Sequence, residues 1–143
     1  MTSQPRPLPA VVGSTENALR ALLLRVLASS DLRGYEEWAA LNLVSGQAAT
    51  EDVTTLVSRS LAVPRQAAVV LLDGLVHRIL LAKEDGEYGL SRDGSALLAA
   101  LRPRVAEATG HLLEGLSQHD IETAGRVLDH IRSRAERELA ALA

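Results

Sequence analysis

The chain has no cysteine and no phenylalanine, one tryptophan and two tyrosines. Without cysteine, disulfides, thiolate metal sites and thiol nucleophiles are all excluded. No apolar run reaches the roughly 18–20 residues that a membrane-spanning helix needs. The opening MTSQPRPLPA lacks the basic head and apolar segment of a secretory leader, and residues 1–13 read as a flexible arm. A cytoplasmic location and no membrane partner are expected. Positive charge is scarce too: 15 Lys and Arg stand against 18 Asp and Glu, for a net −3.

Catalytic patterns are also missing. The histidines are His77, His111, His119 and His130, and none forms HExxH or another close ligand pair. There is no phosphate-binding glycine loop and no GxSxG nucleophile turn. The paired acids Glu36-Glu37, Glu51-Asp52 and Glu84-Asp85 are explained by helix starts and a turn. An enzyme is not expected, and neither is a metal or other cofactor.

What is present is leucine, alanine and valine, which supply nearly all of the 47% apolar content. Leucine and alanine favour helix. Residues 14–29 place Leu19, Leu22, Leu23, Val26 and Leu27 at spacings of three and four, with Ser14 or Thr15 as cap. A second helix spans 35–43 and ends near Gly46, with Glu36 and Glu37 in its first turn and Trp38, Leu41 and Leu43 facing inward. A third starts at Thr50-Glu51-Asp52 and carries Val53, Leu56, Val57 and Leu61. Pro64 suits the first turn of a fourth. There Ala68, Leu72, Leu75, Val76 and Ile79 lie on one side, and Gln66, Val70, Asp73, Gly74 and His77 on the other.

The period then changes. Residues 80–84 and 87–90 read as two strands joined by a type I′ turn at Asp85-Gly86. Ser91 caps a helix from Arg92 to about residue 116, with Asp93 in its first turn, Pro103 within it and a bend near Gly110. Ser117 and Asp120 form a capping box before a last helix striped by Ile121, Ala124, Val127, Leu128, Ile131, Ala135 and Leu139.

This order predicts a mainly α chain: a winged helix-turn-helix with a two-stranded β-hairpin wing, flanked by N- and C-terminal dimerisation helices. Residues 14–143 read as one domain. Within it, 35–94 form the DNA-reading unit, and 14–30 with 111–143 the dimerisation helices. A helix presented this way enters the major groove of double-stranded DNA. Residues 59–92 are the one stretch whose basic residues outnumber its acids, five to four, a thin electrostatic footprint. Arg65 is placed for a base edge or phosphate, Gln66 for adenine and Val70 for a thymine methyl. His77, Arg78 and Arg59 are placed for phosphates, and Lys83 and Arg92 flank the wing. Asp73 opposes binding by repelling phosphate, and Glu84, Asp85 and Glu87 make the wing tip acidic. The apolar stripes of the terminal helices suit a two-fold homodimer on a palindrome with half-sites about one turn apart. The alternative is a winged-helix protein-interaction module that no longer binds DNA.

The segments YEEWAALNLVSG (35–46), PRQAAVVLLDGLVHRILL (64–81) and GEYGLSRDGSALLAALRPRV (86–105) together resemble the MarR family of winged-helix transcriptional regulators. LSRDG at 90–94 is similar to the family's LTxxG exit from the wing, and residues 120–140 to its last dimerisation helix. The resemblance implies a homodimer regulating transcription from a palindromic operator and released by a small phenolic or other apolar effector. It puts Tyr35, Trp38 and His111 in the general region of the effector pocket. Two features depart from the family pattern. The wing is shortened to AKEDGEY with no arginine at its tip, and Ile79 stands where a glycine often closes the recognition helix.

Overall fold

The computed structural model describes residues 4–46 and 52–143. Residues 1–3 of the expected arm, and Thr50 and Glu51 at the expected start of the third helix, lie outside that range. The described elements are α1 (Leu8–Leu27), α2 (Tyr35–Ser45), α3 (Val53–Leu61), α4 (Arg65–His77), β1 (Leu81–Glu84), β2 (Glu87–Leu90), α5 (Arg92–Leu113) and α6 (Gln118–Leu142). The result is a mainly helical winged helix-turn-helix with a two-stranded antiparallel hairpin and helices at both ends. The chain divides into two compact units at residues 105 and 106.

The first helix begins earlier than its hydroxyls suggested. Pro7 is the N-cap residue of α1 and Pro9 falls in its first turn, so residues 8–13 are helical rather than part of a flexible arm. Proline is tolerated there because first-turn amides have no acceptor within the helix. Ser14 and Thr15 are therefore interior residues. Their hydroxyls donate back to the carbonyls of Ala10 (3.1 Å) and Val11 (2.6 Å).

In the first unit α2, α3, α4 and the hairpin enclose one core. Leu27, Leu41, Val57, Leu72, Leu75, Leu81 and Leu98 are its largest fully buried side chains. Asp52 caps α3 by accepting from the Thr54 amide at 3.3 Å. On α4, Ala68, Leu72 and Leu75 are buried while Gln66, Val70, Asp73, Gly74 and His77 are exposed, which matches the two faces expected from periodicity. The strands pair from Leu81↔Leu90 to Glu84↔Glu87. Asp85 (φ 51°) and Gly86 (φ 80°) both take the left-handed conformation that a type I′ turn requires.

Ile79 corrects the expected apolar face of α4. The helix ends at His77, and Ile79 is 65% exposed with φ 62°. The Ile79 amide donates to Val76 O and the Leu80 amide to Leu75 O, both at 3.0 Å, which is the Schellman closure. Leu75 and Leu80 supply its buried apolar contact. A β-branched residue in this conformation is strained. Ile79→Gly is expected to stabilise the protein by about 1 kcal/mol, since relief of strain outweighs the extra entropy of the unfolded glycine chain. Urea denaturation checks this; a lower midpoint for the variant would refute it.

The second unit holds the end of α5 and all of α6. Ser117 caps α6 by accepting from the Asp120 amide at 3.1 Å. No residue of α6 is buried; Val127, Leu128, Ile131 and Leu139 form an exposed apolar stripe along it.

Candidate nucleic-acid interface

The turn between α3 and α4 is set by backbone geometry. Ala62 takes φ 53°, and Val63 N donates to Ser58 O at 3.0 Å, so α3 also closes in a Schellman turn. Pro64 then opens α4, its carbonyl accepting the Ala68 amide at 3.1 Å. The consequence is a rigid entry to α4 and an accessible ridge along its outer side. At the centre of that ridge Val70 is 67% exposed.

Arg65 sits at the start of the ridge. Its guanidinium donates to Asp52 Oδ2 at 2.9 Å and to Thr55 Oγ1 at 2.8 Å, and it stays largely in solvent. An exposed pair of this kind contributes little to stability. It holds the Arg65 side chain across the start of α3. Gln66 and His77 are exposed on the same helix, Arg59 is exposed in the last turn of α3, and Arg92 is exposed at the start of α5.

Asp73 is tied into the wing. Tyr88 in β2 donates its hydroxyl to Asp73 Oδ1. Lys83 in β1 lies 3.6 Å from the same oxygen and 4.8 Å from the Tyr88 ring centroid. Burial, then the hydrogen bond to Asp73, pushes the Tyr88 phenol above its ordinary pKa. Contacts with Tyr88 and with the Asp73 charge hold the Lys83 ammonium in its charged form. Strand alternation turns Tyr88 inward and its hydroxyl needs an acceptor. Asp73 is that acceptor, so the acid on the ridge anchors the hairpin to α4. Its negative charge is partly met by Lys83. Beyond the anchor, Glu84, Asp85 and Glu87 are all exposed.

Arg78 is placed differently from the phosphate-facing position expected for it. Its guanidinium donates to both carboxylate oxygens of Glu37 and to the Asp31 carbonyl. The Arg33 amide donates to the same carboxylate at 2.7 Å. Burial alone would raise the Glu37 pKa, but the hydrogen bonds from Arg78 and the Arg33 amide outweigh it and hold the carboxyl below its ordinary value. The Arg78 charge is spent inside the fold, clamping the end of α4 to the start of α2. Glu37 is thus a buried partner, beyond the helix-start role assigned from its position.

The expected effector residues come from both units. Tyr35 and Trp38 line one shallow cleft of about 290 Å³ with Asn42, Leu43 and Leu61. The Arg20 guanidinium lies 4.6 Å from the Tyr35 ring centroid. Trp38 also packs against the core. His111 belongs to the second unit, where it is exposed and sits 3.1 Å from Glu114. Among the described residues, no group of three or more His, Asp or Glu is arranged to hold a metal ion. No helix of the described residues is long and apolar enough to cross a membrane.

No protein-family model and no curated protein matches the chain. Solved structures do. CouR from Rhodococcus jostii RHA1, bound to p-coumaroyl-CoA, is similar with a TM-score of 0.79 at 19% identity, over 91% of this chain and 96% of that one. A MarR-family protein of Mycobacterium tuberculosis in complex with DNA gives 0.68 at 20% identity, over 89% and 98%. MarR from E. coli gives 0.71 at 18%, over 90% and 95%. At these identities the likeness establishes a shared fold, that of the MarR-type winged helix.

Proposed function

We propose that the chain is a MarR-type transcriptional regulator: a homodimer that binds palindromic double-stranded DNA and responds to a small apolar effector. The observation that carries this reading is the ridge on α4. Gln66, Val70, Gly74 and His77 project into solvent while Ala68, Leu72 and Leu75 anchor the helix from beneath. The hairpin stands beside it, fastened through Asp73 and Tyr88. A helix so supported can enter a major groove, with Arg65 at its leading end and Arg59 and Arg92 on flanking elements for phosphates. Val70 meets a thymine methyl and Gln66 an adenine edge. The exposed stripe of α6 is what a second copy would cover. Tyr35 and Trp38 line the cleft for the effector.

The acidic hairpin tip gives this regulator an unusual wing. Glu84, Asp85 and Glu87 repel a phosphate-lined groove, so the wing contacts DNA through Lys83 or not at all. The same observation favours the second reading, a protein-interaction module without DNA binding.

Fluorescence anisotropy with duplexes flanking the gene of this protein separates the two. Binding is expected with a steep salt dependence. Arg65→Ala is expected to weaken it and to lower the salt slope by about one. Asp73→Asn keeps an acceptor for Tyr88 while removing a charge, so non-specific binding tightens. No binding to any duplex at low salt would favour the interaction module, and unchanged binding in both variants would show that another face reads the DNA.

A further inference from the structure

We infer that Asp52 and Thr55 are positioning residues that set Arg65 as a bidentate reader of guanine, so that a pair on α3 determines base choice at the leading end of α4. The inference rests on the DNA-binding reading and names what that end of the ridge recognises. Hydrogen bonds close a ring between the two helices. Arg65 Nη2 donates to Asp52 Oδ2 at 2.9 Å, Arg65 Nη1 to Thr55 Oγ1 at 2.8 Å, and Thr55 Oγ1 to the same Asp52 oxygen at 2.9 Å. Asp52 is itself fixed, because its other oxygen caps α3 by accepting the Thr54 amide at 3.3 Å. The hydrogen bonds from Thr55 and Arg65 hold the Asp52 carboxyl below its ordinary pKa, so the acceptor stays charged at neutral pH. The backbone that carries Arg65 is equally determined, since it follows the left-handed Ala62 and the Pro64 entry to α4.

The ring leaves a particular edge of the guanidinium for a ligand. Its two acceptors are only 2.9 Å apart, so both are met from the Nη1–Nη2 end. The adjacent edge, Nε with the second hydrogen of Nη2, has no acceptor among the described residues, and the side chain is 61% exposed. That edge offers two parallel N–H donors, the pattern that guanine O6 and N7 accept in the major groove. Residues at the N-terminal end of a helix in that groove lie over base edges. A loose arginine there would exchange between bases and phosphates, and ordering it on guanine would consume part of the contact energy. Asp52 and Thr55 order it before DNA arrives, so the contact counts towards guanine over the other bases. The exposed ion pair itself contributes little to stability, so removing it tests recognition without unfolding the unit.

The test is selection of a random duplex library by the full chain, read by sequencing, with circular dichroism melts showing that each variant is folded. The parent is expected to enrich a palindrome. Arg65→Ala should lower the preference for guanine at one position of each half-site about tenfold or more and leave the other positions unchanged. Arg65→Lys keeps the charge without the fork, so it should lose part of that preference while keeping the salt slope. Asp52→Asn keeps a capping oxygen, and Thr55→Val keeps the side-chain volume. Each should lower the same preference about two- to tenfold, the cost of ordering Arg65 afresh. Thr55→Ser keeps the hydroxyl and should discriminate like the parent. If Asp52 only neutralises Arg65, Asp52→Asn will tighten binding to every duplex with its base preferences unchanged. Parental preferences in both Asp52→Asn and Thr55→Val overturn the positioning role. A palindrome whose preferences survive Arg65→Ala, or whose Arg65-dependent base is not guanine, overturns the inference and keeps the proposed function. A parent that enriches no sequence overturns both.

Discussion

Gly94→Ala is expected to destabilise the first unit by about 3 kcal/mol, through overpacking against backbone that cannot move away. Gly94 is the third residue of α5 and is buried. A Cβ built on it would overlap the Leu80 carbonyl oxygen and lie 3.0 Å from the Leu80 carbonyl carbon. That carbonyl is held on every side. The Leu80 amide donates to Leu75 O at 3.0 Å as part of the α4 closure, its oxygen accepts the Ser91 amide at 3.3 Å, and its side chain is in the core. The Ser91 hydroxyl accepts from the Gly94 amide at 2.9 Å and donates to Ile79 O at 2.6 Å. The end of α4, the base of the wing and the start of α5 therefore meet at one point, and only a residue without a side chain fits there. The gain in helix propensity from alanine, about 1 kcal/mol, does not offset the clash. Thermal melting of the helical signal should show a midpoint lower by about 10–20 °C for a unit of this size. A variant that melts with the parent would mean that Leu80 is free to shift.

Features of short sequence range were the legible ones. The hairpin, its I′ turn, the two faces of α4 and the caps Asp52, Ser91 and Ser117 all depend on residues within a few positions of one another, and periodicity and turn chemistry report such neighbours. The start of α1 is ambiguous in the sequence because Pro7 and Pro9 suit both an extended arm and a helix entry, and the Ser14 and Thr15 hydroxyls that suit a cap bond back to the preceding turn instead. Ile79 continued the apolar spacing of α4 past the point where the Schellman closure ends it. The partners of Asp73 and Arg78 were invisible for a different reason. Tyr88 is 15 residues from Asp73, and Glu37 is 41 from Arg78. No local pattern pairs residues so far apart, so both charges were assigned to the DNA face by helical position alone. The candidate interface changes accordingly. Arg78 leaves it, Asp73 becomes the anchor of the wing, and Arg65, Gln66, Val70, His77 and Arg92 keep the exposed positions expected of them.

Glu37→Gln and Arg78→Met are each expected to cost about 2–4 kcal/mol, because each leaves the other member of a largely buried pair without its counter-charge. The side chains are only 12% and 20% exposed, so water compensates poorly. Arg78→Met also leaves the Asp31 carbonyl without its donor. Changing both residues at once should cost less than the sum of the single changes, since neither charge is then stranded. The pH dependence has a definite sign. The Glu37 carboxyl titrates below its ordinary value in the folded chain, so the folded state binds its proton less readily than the unfolded state does. Its contribution is fully present above the ordinary carboxylate range, near pH 4.5, and is lost as pH falls through the lower folded value. Denaturation midpoints measured from pH 6 down to pH 3 should therefore decline more steeply in the parent than in Glu37→Gln. Strictly additive single and double variants, or parallel pH profiles, would mean that Arg78 and Glu37 do not act as a pair, and the arginine would return to the list of cations available to a phosphate.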